Sequence, residues 1–270
     1  MARQQLERLD KILVSRGYAS SRSEASEMIK RGEVRVMGLV REKPSSMFDP
    51  ESALGVDRGG EKRWVGRGAF KLLKALDEWQ VDPSGAGCVD IGASTGGFTQ
   101  VLLERGASRV AAVDVGYGQL AWELRRDPRV KVMDRVNARY VTADEIGWLS
   151  DIVTIDASFI SLRALLPNIR ELLSEDGVII ALVKPQFEVG RERVGKGVVR
   201  DKELHTDALS SISDFAREHC GFILRAATYS PVKGAEGNIE FIFLMSGESA
   251  SPPDAINLAA LVDEAHAKLE

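Results

Sequence analysis

The chain has no apolar run approaching the ~18 residues a membrane-spanning helix needs. Its longest obvious candidate, Val178–Val183, has the length of a buried strand. Cysteine and histidine are scarce: two and three in 270 residues. Cys88 and Cys220 lie inside apolar segments, which predicts buried free thiols rather than a disulfide. His219 adjoins Cys220, but no metal-ligand spacing emerges, so no structural metal is expected. The opening MARQQLERLDK has no apolar core of the signal-peptide kind, and a cytoplasmic location is expected. Internal repeats and low-complexity tracts are absent.

What remains is an ordinary globular composition, 44% hydrophobic and 28% charged. A length of 270 residues suits one large and one small domain. The net charge of −4 conceals an asymmetry: residues 1–71 carry 15 Lys+Arg against 10 Asp+Glu, and the rest carry 21 against 30. The basic end is the natural contact for a polyanion, although a solvated helix face would show the same surplus.

Two helices are predicted over Leu6–Arg16 and Ser21–Arg31, with Leu9, Ile12 and Leu13 on one inner face and Ala25, Met28 and Ile29 on the other. Ser20 or Ser21 is the N-cap of the second, and Glu24 completes a capping box with Ser21. Gly32 ends that helix, and Val34 and Val36 form a short strand into a Met37–Gly38 turn. The polar stretch Asp49–Arg63 reads as turn and linker, giving boundaries of 6–63 for a small α+β domain, 64–247 for a larger one and 248–270 for a tail. The tail carries one short amphipathic helix with no expected part in chemistry.

Within the larger domain, GCVDIGASTGGF (Gly87–Phe98) is an apolar strand that ends in small residues and runs into a helix. Small residues there let the backbone approach a ligand, and a helix N-terminus offers free N–H groups. The pattern is GxSxGG rather than GxGxxG, and Asp114 ends the next apolar run, placed for ribose hydroxyls. That combination favours S-adenosylmethionine over NAD, the alternative being a tight glycine turn. Gly92, Ser94, Gly96 and Gly97 are expected at the methionine end and Asp114 at the ribose. Asp134 and Asn137 are expected to reach adenine, and Phe98 to pack.

Apolar runs at Cys88–Ile91, Val110–Val113, Val130–Val132, Ile152–Ile155 and Val178–Val183 alternate with helical segments, the mark of a parallel α/β sheet. Phe222–Tyr229 and Ile239–Met245 read as an antiparallel edge hairpin. Lys71 sits just inside the first helix, Asp156 and Lys184 end the fourth and fifth strands, and Glu240 opens the last. The carboxyl ends of parallel strands face the ligand crevice, so Asp156 and Lys184 are expected to converge there. A hydroxyl group that takes up a methyl group needs a base, and a lysine at its usual pKa of about 10.4 is protonated. Crowding Lys71 against Lys184 should depress one of the two, with Lys184 as base and the acids orienting the amines. Read singly, each residue would be a surface ion pair. The loop Lys184–Arg200, with Arg191, Arg193, Lys196 and Arg200, is expected to close over a nucleic-acid strand and present a flipped-out nucleotide.

Several of these motifs resemble known families. RLDKILVSRGYASSRSEASEMIKRGEVRVMGLVREKPS resembles the S-four-type RNA-binding domain, with Met37 where that family usually has asparagine. The resemblance implies phosphate contacts from Arg8, Lys11, Arg22 and Lys43. The order of strands resembles the seven-stranded sheet of Rossmann-type methyltransferases, and the four spaced residues resemble the Lys–Asp–Lys–Glu tetrad of FtsJ-like ribose 2′-O-methyltransferases. GASTGGFT, DVGYGQLAW, DASFISL, LVKPQFEVG and GNIEF, in that order behind the RNA module, closely resemble the TlyA group, also called hemolysin A proteins. The resemblance implies methyl transfer from S-adenosylmethionine to ribose 2′-hydroxyls of ribosomal RNA, free or in ribosomal subunits, with neither a membrane nor an obligate protein partner. The competing readings are an RNA-binding protein without catalysis, a small-molecule methyltransferase and a membrane-acting hemolysin.

Overall fold

The computed structural model describes residues 6–37, 39–56, 64–190, 192–195, 197–247 and 256–269. The chain forms two compact units, Met1–Arg63 and Trp64–Glu270.

In the first unit, β1 (Glu7–Arg8) pairs antiparallel with β4 (Met47–Phe48), and this pairing delays α1 to Leu9–Ser15 rather than Leu6. Helix α2 (Arg22–Lys30) starts on Ser21, whose hydroxyl accepts from the Glu24 N–H. The Glu24 carboxylate turns to the N–H of Ser20, so the expected box is shared between two serines. Strand β2 (Val34–Val36) lies between β3 (Leu39–Val40) and β5 (Leu54–Val56). Leu9, Leu13, Ala25, Ile29, Val34 and Val36 close the small core.

The second unit is built on seven strands. β6 (Gly87–Ile91), β7 (Arg109–Asp114), β8 (Val130–Asp134), β9 (Ser150–Ile155) and β10 (Leu173–Val183) run parallel. β11 (Phe222–Tyr229) and β12 (Phe241–Gly247) complete the order β11-β12-β10-β9-β6-β7-β8. The last pair is the expected antiparallel hairpin at the sheet edge, with β12 on the inside, antiparallel to both β10 and the outermost β11. Phe241, Ile242 and Phe243 of β12 are fully buried, and an interior place satisfies them better than an edge.

The chain steps from β6 outward to β7 and β8, then returns to build β9 and β10 on the other side. The reversal leaves a crevice beyond the carboxyl ends of β6 and β9, where ligands of open α/β sheets bind. Helix α3 (Gly68–Trp79) packs on α4 (Gly97–Glu104) beside that crevice, over a core that includes Leu72, Leu76, Leu102 and Ile180. The other helices are α5 (Trp122–Arg125), α6 (Ala143–Ile146), α7 (Leu166–Ile169), α8 (Pro185–Glu188), α9 (Lys202–Cys220) and α10 (Leu258–Leu269). α10 packs on α9, where the buried His205 and His266 rings meet at 2.9 Å and Lys202 pairs with Asp263 at 2.6 Å. Cys88 and Cys220 are buried free thiols. Among the described residues, no helix is long and apolar enough to cross a membrane.

Candidate active site

A cavity of about 680 Å³ opens at the crevice, and Lys71, Asp156, Lys184 and Glu240 all line it. Asp156 and Lys184 directly follow β9 and β10, as strand polarity demands. Glu240 arrives from the opposite direction: it stands one residue before the antiparallel β12, whose Phe241 pairs with Val183, so it lies beside Lys184 at the same edge. Lys71 comes from the first turn of α3.

The four groups alternate in charge. Lys71 Nζ donates to Glu240 Oε2 at 2.7 Å and Asp156 Oδ2 at 3.1 Å. Lys184 Nζ lies 2.6 Å from Asp156 Oδ1 and donates to Ser158 Oγ at 3.0 Å. Burial works against the charge of Lys71, but Asp156 and Glu240 outweigh it and hold the ammonium above the ordinary lysine range. Burial likewise opposes the Asp156 carboxylate, and the two lysines overcome it, holding Asp156 below the usual carboxylate range. The expectation that the lysines depress one another fails for Lys71. A carboxylate stands between the amines, so each meets its counter-ion before its like.

Behind the tetrad, Asp90 is fully buried and accepts from the hydroxyls of Thr99 at 2.7 Å and Thr154 at 2.9 Å. Burial pushes its carboxyl up to about 6 in spite of these bonds, joining β6, α4 and β9 directly under the site.

The glycine turn has two distinct jobs. Gly92 has φ +80°, and a Cβ there would stand 2.8 Å from the Asp156 carbonyl oxygen, so only glycine lets β6 turn beside β9. Gly92, Ser94 and Gly97 line the cavity. Gly96 does not: its φ is +99°, and a side chain would run into Leu120 and Leu124, so packing requires glycine here. Ser94 adopts φ +48° with its N–H held by Asp114 Oδ2 at 2.8 Å, while Asp114 Oδ1 accepts from Gly116 N–H at 2.7 Å. Asp114, Asp134 and Asn137 all lie outside the cavity lining. Asp134 is ion-paired to Arg125 at 2.7 Å, and Asn137 Oδ1 accepts from the Arg139 N–H at 3.1 Å, so both organise their own loops. Phe98 is buried, as expected.

Of the loop cations, Arg193 donates to the Val189 carbonyl and faces Asp207 at 3.3 Å. Arg191 and Lys196 lie outside the described residues. The loop carries a small core of its own, Val189 and Val199 against Ala208. In the first unit Arg8 and Arg22 both bind Asp10, at 2.8 and 3.1 Å, and hydrogen bonds from Arg8 above all hold that carboxyl at about 2. Lys11 and Lys43 are exposed.

Sequence reasoning missed Ser158, Phe159, Gln186 and Phe187. Phe159 is 92% exposed with φ +64°, and its ring stands 5.4 Å from that of Phe187 at the cavity. Both lie inside quoted motifs, but neither an outward-facing phenylalanine nor a second strand end beside it has a signature in one-dimensional spacing.

Comparison with known proteins agrees with this geometry. Residues 64–246 match the FtsJ-like methyltransferase family, and residues 7–53 match the S4 domain. The chain is 45% identical over 260 residues, 96% of each chain, to the 16S/23S rRNA (cytidine-2′-O)-methyltransferase TlyA of Mycobacterium tuberculosis. It is 34% identical to the 23S rRNA (cytidine-2′-O)-methyltransferase TlyA of Campylobacter jejuni, over 85% of this chain and 96% of that one. A solved structure from Streptococcus thermophilus that carries the hemolysin name superposes with a TM-score of 0.75 at 38% identity, covering 98% of this chain and 97% of that one. With its FtsJ-like domain, its S4 domain and relatives matched almost end to end, the chain belongs to the TlyA group of the FtsJ-like methyltransferases.

Proposed function

We propose that this protein transfers a methyl group from S-adenosylmethionine to the ribose 2′-hydroxyl of cytidines in ribosomal RNA. The observation that carries the reading is the convergence of Lys71, Asp156, Lys184 and Glu240 on one cavity beside the Gly92 turn. The residues present fit the cofactor. Gly92, Ser94 and Gly97 bring small residues to the cavity wall, and Ser94, fastened by Asp114, shapes the turn in front of α4. Gly92, Ser94 and Gly97 would hold the methionine end, and Asp114, just beyond the cavity lining and already accepting from the Ser94 and Gly116 N–H groups, would take the ribose on its remaining lone pairs. When bound, S-adenosylmethionine supplies an electrophilic methyl group.

The chain's own residues do the rest. Lys71, its proton held by two carboxylates, acts as a fixed cation beside the oxygen that develops charge. Lys71 keeps its proton, and proton acceptance from the hydroxyl is assigned to Lys184, the second amine lining the same cavity. Asp156 sits between the amines and sets their separation, while Glu240 orients Lys71. The exposed Phe159 beside Phe187 offers an aromatic wall for a nucleotide turned out of its stack. The S4 domain brings the RNA, with Lys11 and Lys43 free to meet phosphates and Arg8 and Arg22 shared with Asp10.

The test is incubation with labelled S-adenosylmethionine and unmodified ribosomal subunits or naked ribosomal RNA, with the labelled position then mapped. Ribose-bound label on cytidine is expected, and Lys184→Ala should lower the rate by about 100-fold or more. No label on ribose, or near-normal turnover in both Lys184→Ala and Lys71→Ala, would overturn the reading.

A further inference from the structure

Three oxygens stand around Lys184 Nζ: Asp156 Oδ1 at 2.6 Å, Ser158 Oγ at 3.0 Å and the Asp156 carbonyl oxygen at 3.4 Å. An ammonium carries three hydrogens and no lone pair, so the protonated side chain can spend all of them on the protein. To act as a base the amine must first be neutral, with two hydrogens and one lone pair. The carboxylate and the carbonyl of Asp156 can only accept, and they claim the two hydrogens that remain. The lone pair is therefore left facing Ser158. A serine hydroxyl both accepts and donates by rotating its proton, so of the three neighbours it alone can answer that lone pair.

Access points to the same residue. Lys184 is 5% exposed, whereas Ser158 is exposed and lines the cavity. Among the described residues, the Ser158 hydroxyl has no hydrogen-bond partner other than Lys184. With its proton turned to Nζ, its own lone pairs are open to a donor that enters the cavity. The segment that follows is anchored, since Glu188 of α8 accepts from the Leu162 N–H at 2.9 Å and from the Ser161 hydroxyl at 2.5 Å.

We infer that Ser158 relays the proton from the ribose 2′-hydroxyl to Lys184, an inference that rests on the reading of the site as a ribose methyltransferase. The 2′ oxygen forms its bond to the methyl carbon, and the electron pair of the breaking carbon–sulfur bond stays on sulfur. The 2′ proton passes to Ser158 Oγ as the Ser158 proton passes to Lys184 Nζ. Ser158 ends neutral, Lys184 ends as the ammonium, and its extra proton later leaves to solvent by way of the same exposed hydroxyl.

The experiment measures single-turnover methyl transfer at saturating RNA and S-adenosylmethionine in mixtures of H2O and D2O. Two protons moving together make the rate a quadratic function of the deuterium fraction, whereas one makes it linear. Wild type should give the curve. Ser158→Ala should lower the rate by about 10–100-fold and give a straight line, with the affinities for RNA and S-adenosylmethionine unchanged. Ser158→Thr keeps the hydroxyl and should restore the curve and bring the rate back to within about 5-fold of wild type. Titration of both ligands checks that each variant is folded, and Ser158→Gly takes the place of Ser158→Ala if that variant fails to bind them. A linear wild type, a curve that persists without the hydroxyl, or no recovery in Ser158→Thr overturns the relay and leaves the methyltransferase reading intact. Failure of the wild type to methylate any ribose sinks that reading, and the relay with it.

Discussion

Replacing Lys71 by methionine keeps the length of the side chain and removes its charge, which isolates what the ammonium does for the buried carboxylates. Lys71 is 8% exposed and Glu240 3%, and their atoms stand 2.7 Å apart. Asp156 loses one cation but keeps Lys184 at 2.6 Å, so the carboxylate orphaned by the change is Glu240. Breaking a buried pair by removing one partner costs about 3–5 kcal/mol. Because only one of the two acids is abandoned, the lower end, about 3 kcal/mol, is expected. That is a large share of the 5–15 kcal/mol by which domains are typically stable. Adding Glu240→Gln removes the orphaned charge, so the double variant should recover part of the loss, with a coupling of about 1–3 kcal/mol. Urea unfolding of the wild type, both single variants and the double variant at neutral pH measures the cycle, with unchanged slopes confirming a common unfolded state. Methyl transfer should be lost in Lys71→Met and should not return in the double variant, which separates stability from chemistry. A Lys71→Met protein within about 0.5 kcal/mol of wild type, or strict additivity in the double variant, would refute the electrostatic account.

Gly92→Ala forces a Cβ to within 2.8 Å of the Asp156 carbonyl oxygen at φ +80°; we expect a loss of about 2–4 kcal/mol in urea unfolding and a disproportionate fall in methyl transfer, because the atom that must move belongs to the tetrad. Asp90 takes up a proton near pH 6 in the folded chain and only near 3.9 in the unfolded one, so its contribution to stability rises as pH falls through that window. Accordingly, the stability of Asp90→Asn relative to wild type should increase by about 2.4 kcal/mol between pH 4 and 7.5, and a flat difference would contradict the buried ionised carboxylate. Lys11→Gln and Lys43→Gln should each weaken RNA binding and reduce the salt slope by about one, as measured by titration at several salt concentrations.

Much of the architecture was legible because periodicity reports burial directly. The five parallel strands are continuous apolar runs, Ser21 caps its helix through a side chain three residues from its partner, and Gly32 stands where α2 ends. The misplaced helix start has a different cause. β1 displaced the start of α1 because its partner lies some forty residues away.

The candidate site divides along the same line. Strand ends were enough to single out Asp156 and Lys184, since chain polarity sends every parallel strand's carboxyl end to one edge of a sheet, and the resemblance to the FtsJ-like tetrad added Lys71 and Glu240. Their charge states were beyond such reasoning. Whether two lysines repel or share a carboxylate depends on a few ångströms between Nζ and Oδ atoms set by α3, β9 and β12 together, and Coulomb energy varies inversely with that separation. The outward ring of Phe159, the hydroxyl of Ser158 against Lys184 and the enclosed carboxyl of Asp90 are likewise properties of neighbours far off in the chain, and surroundings of that kind exist only once the sheet has closed.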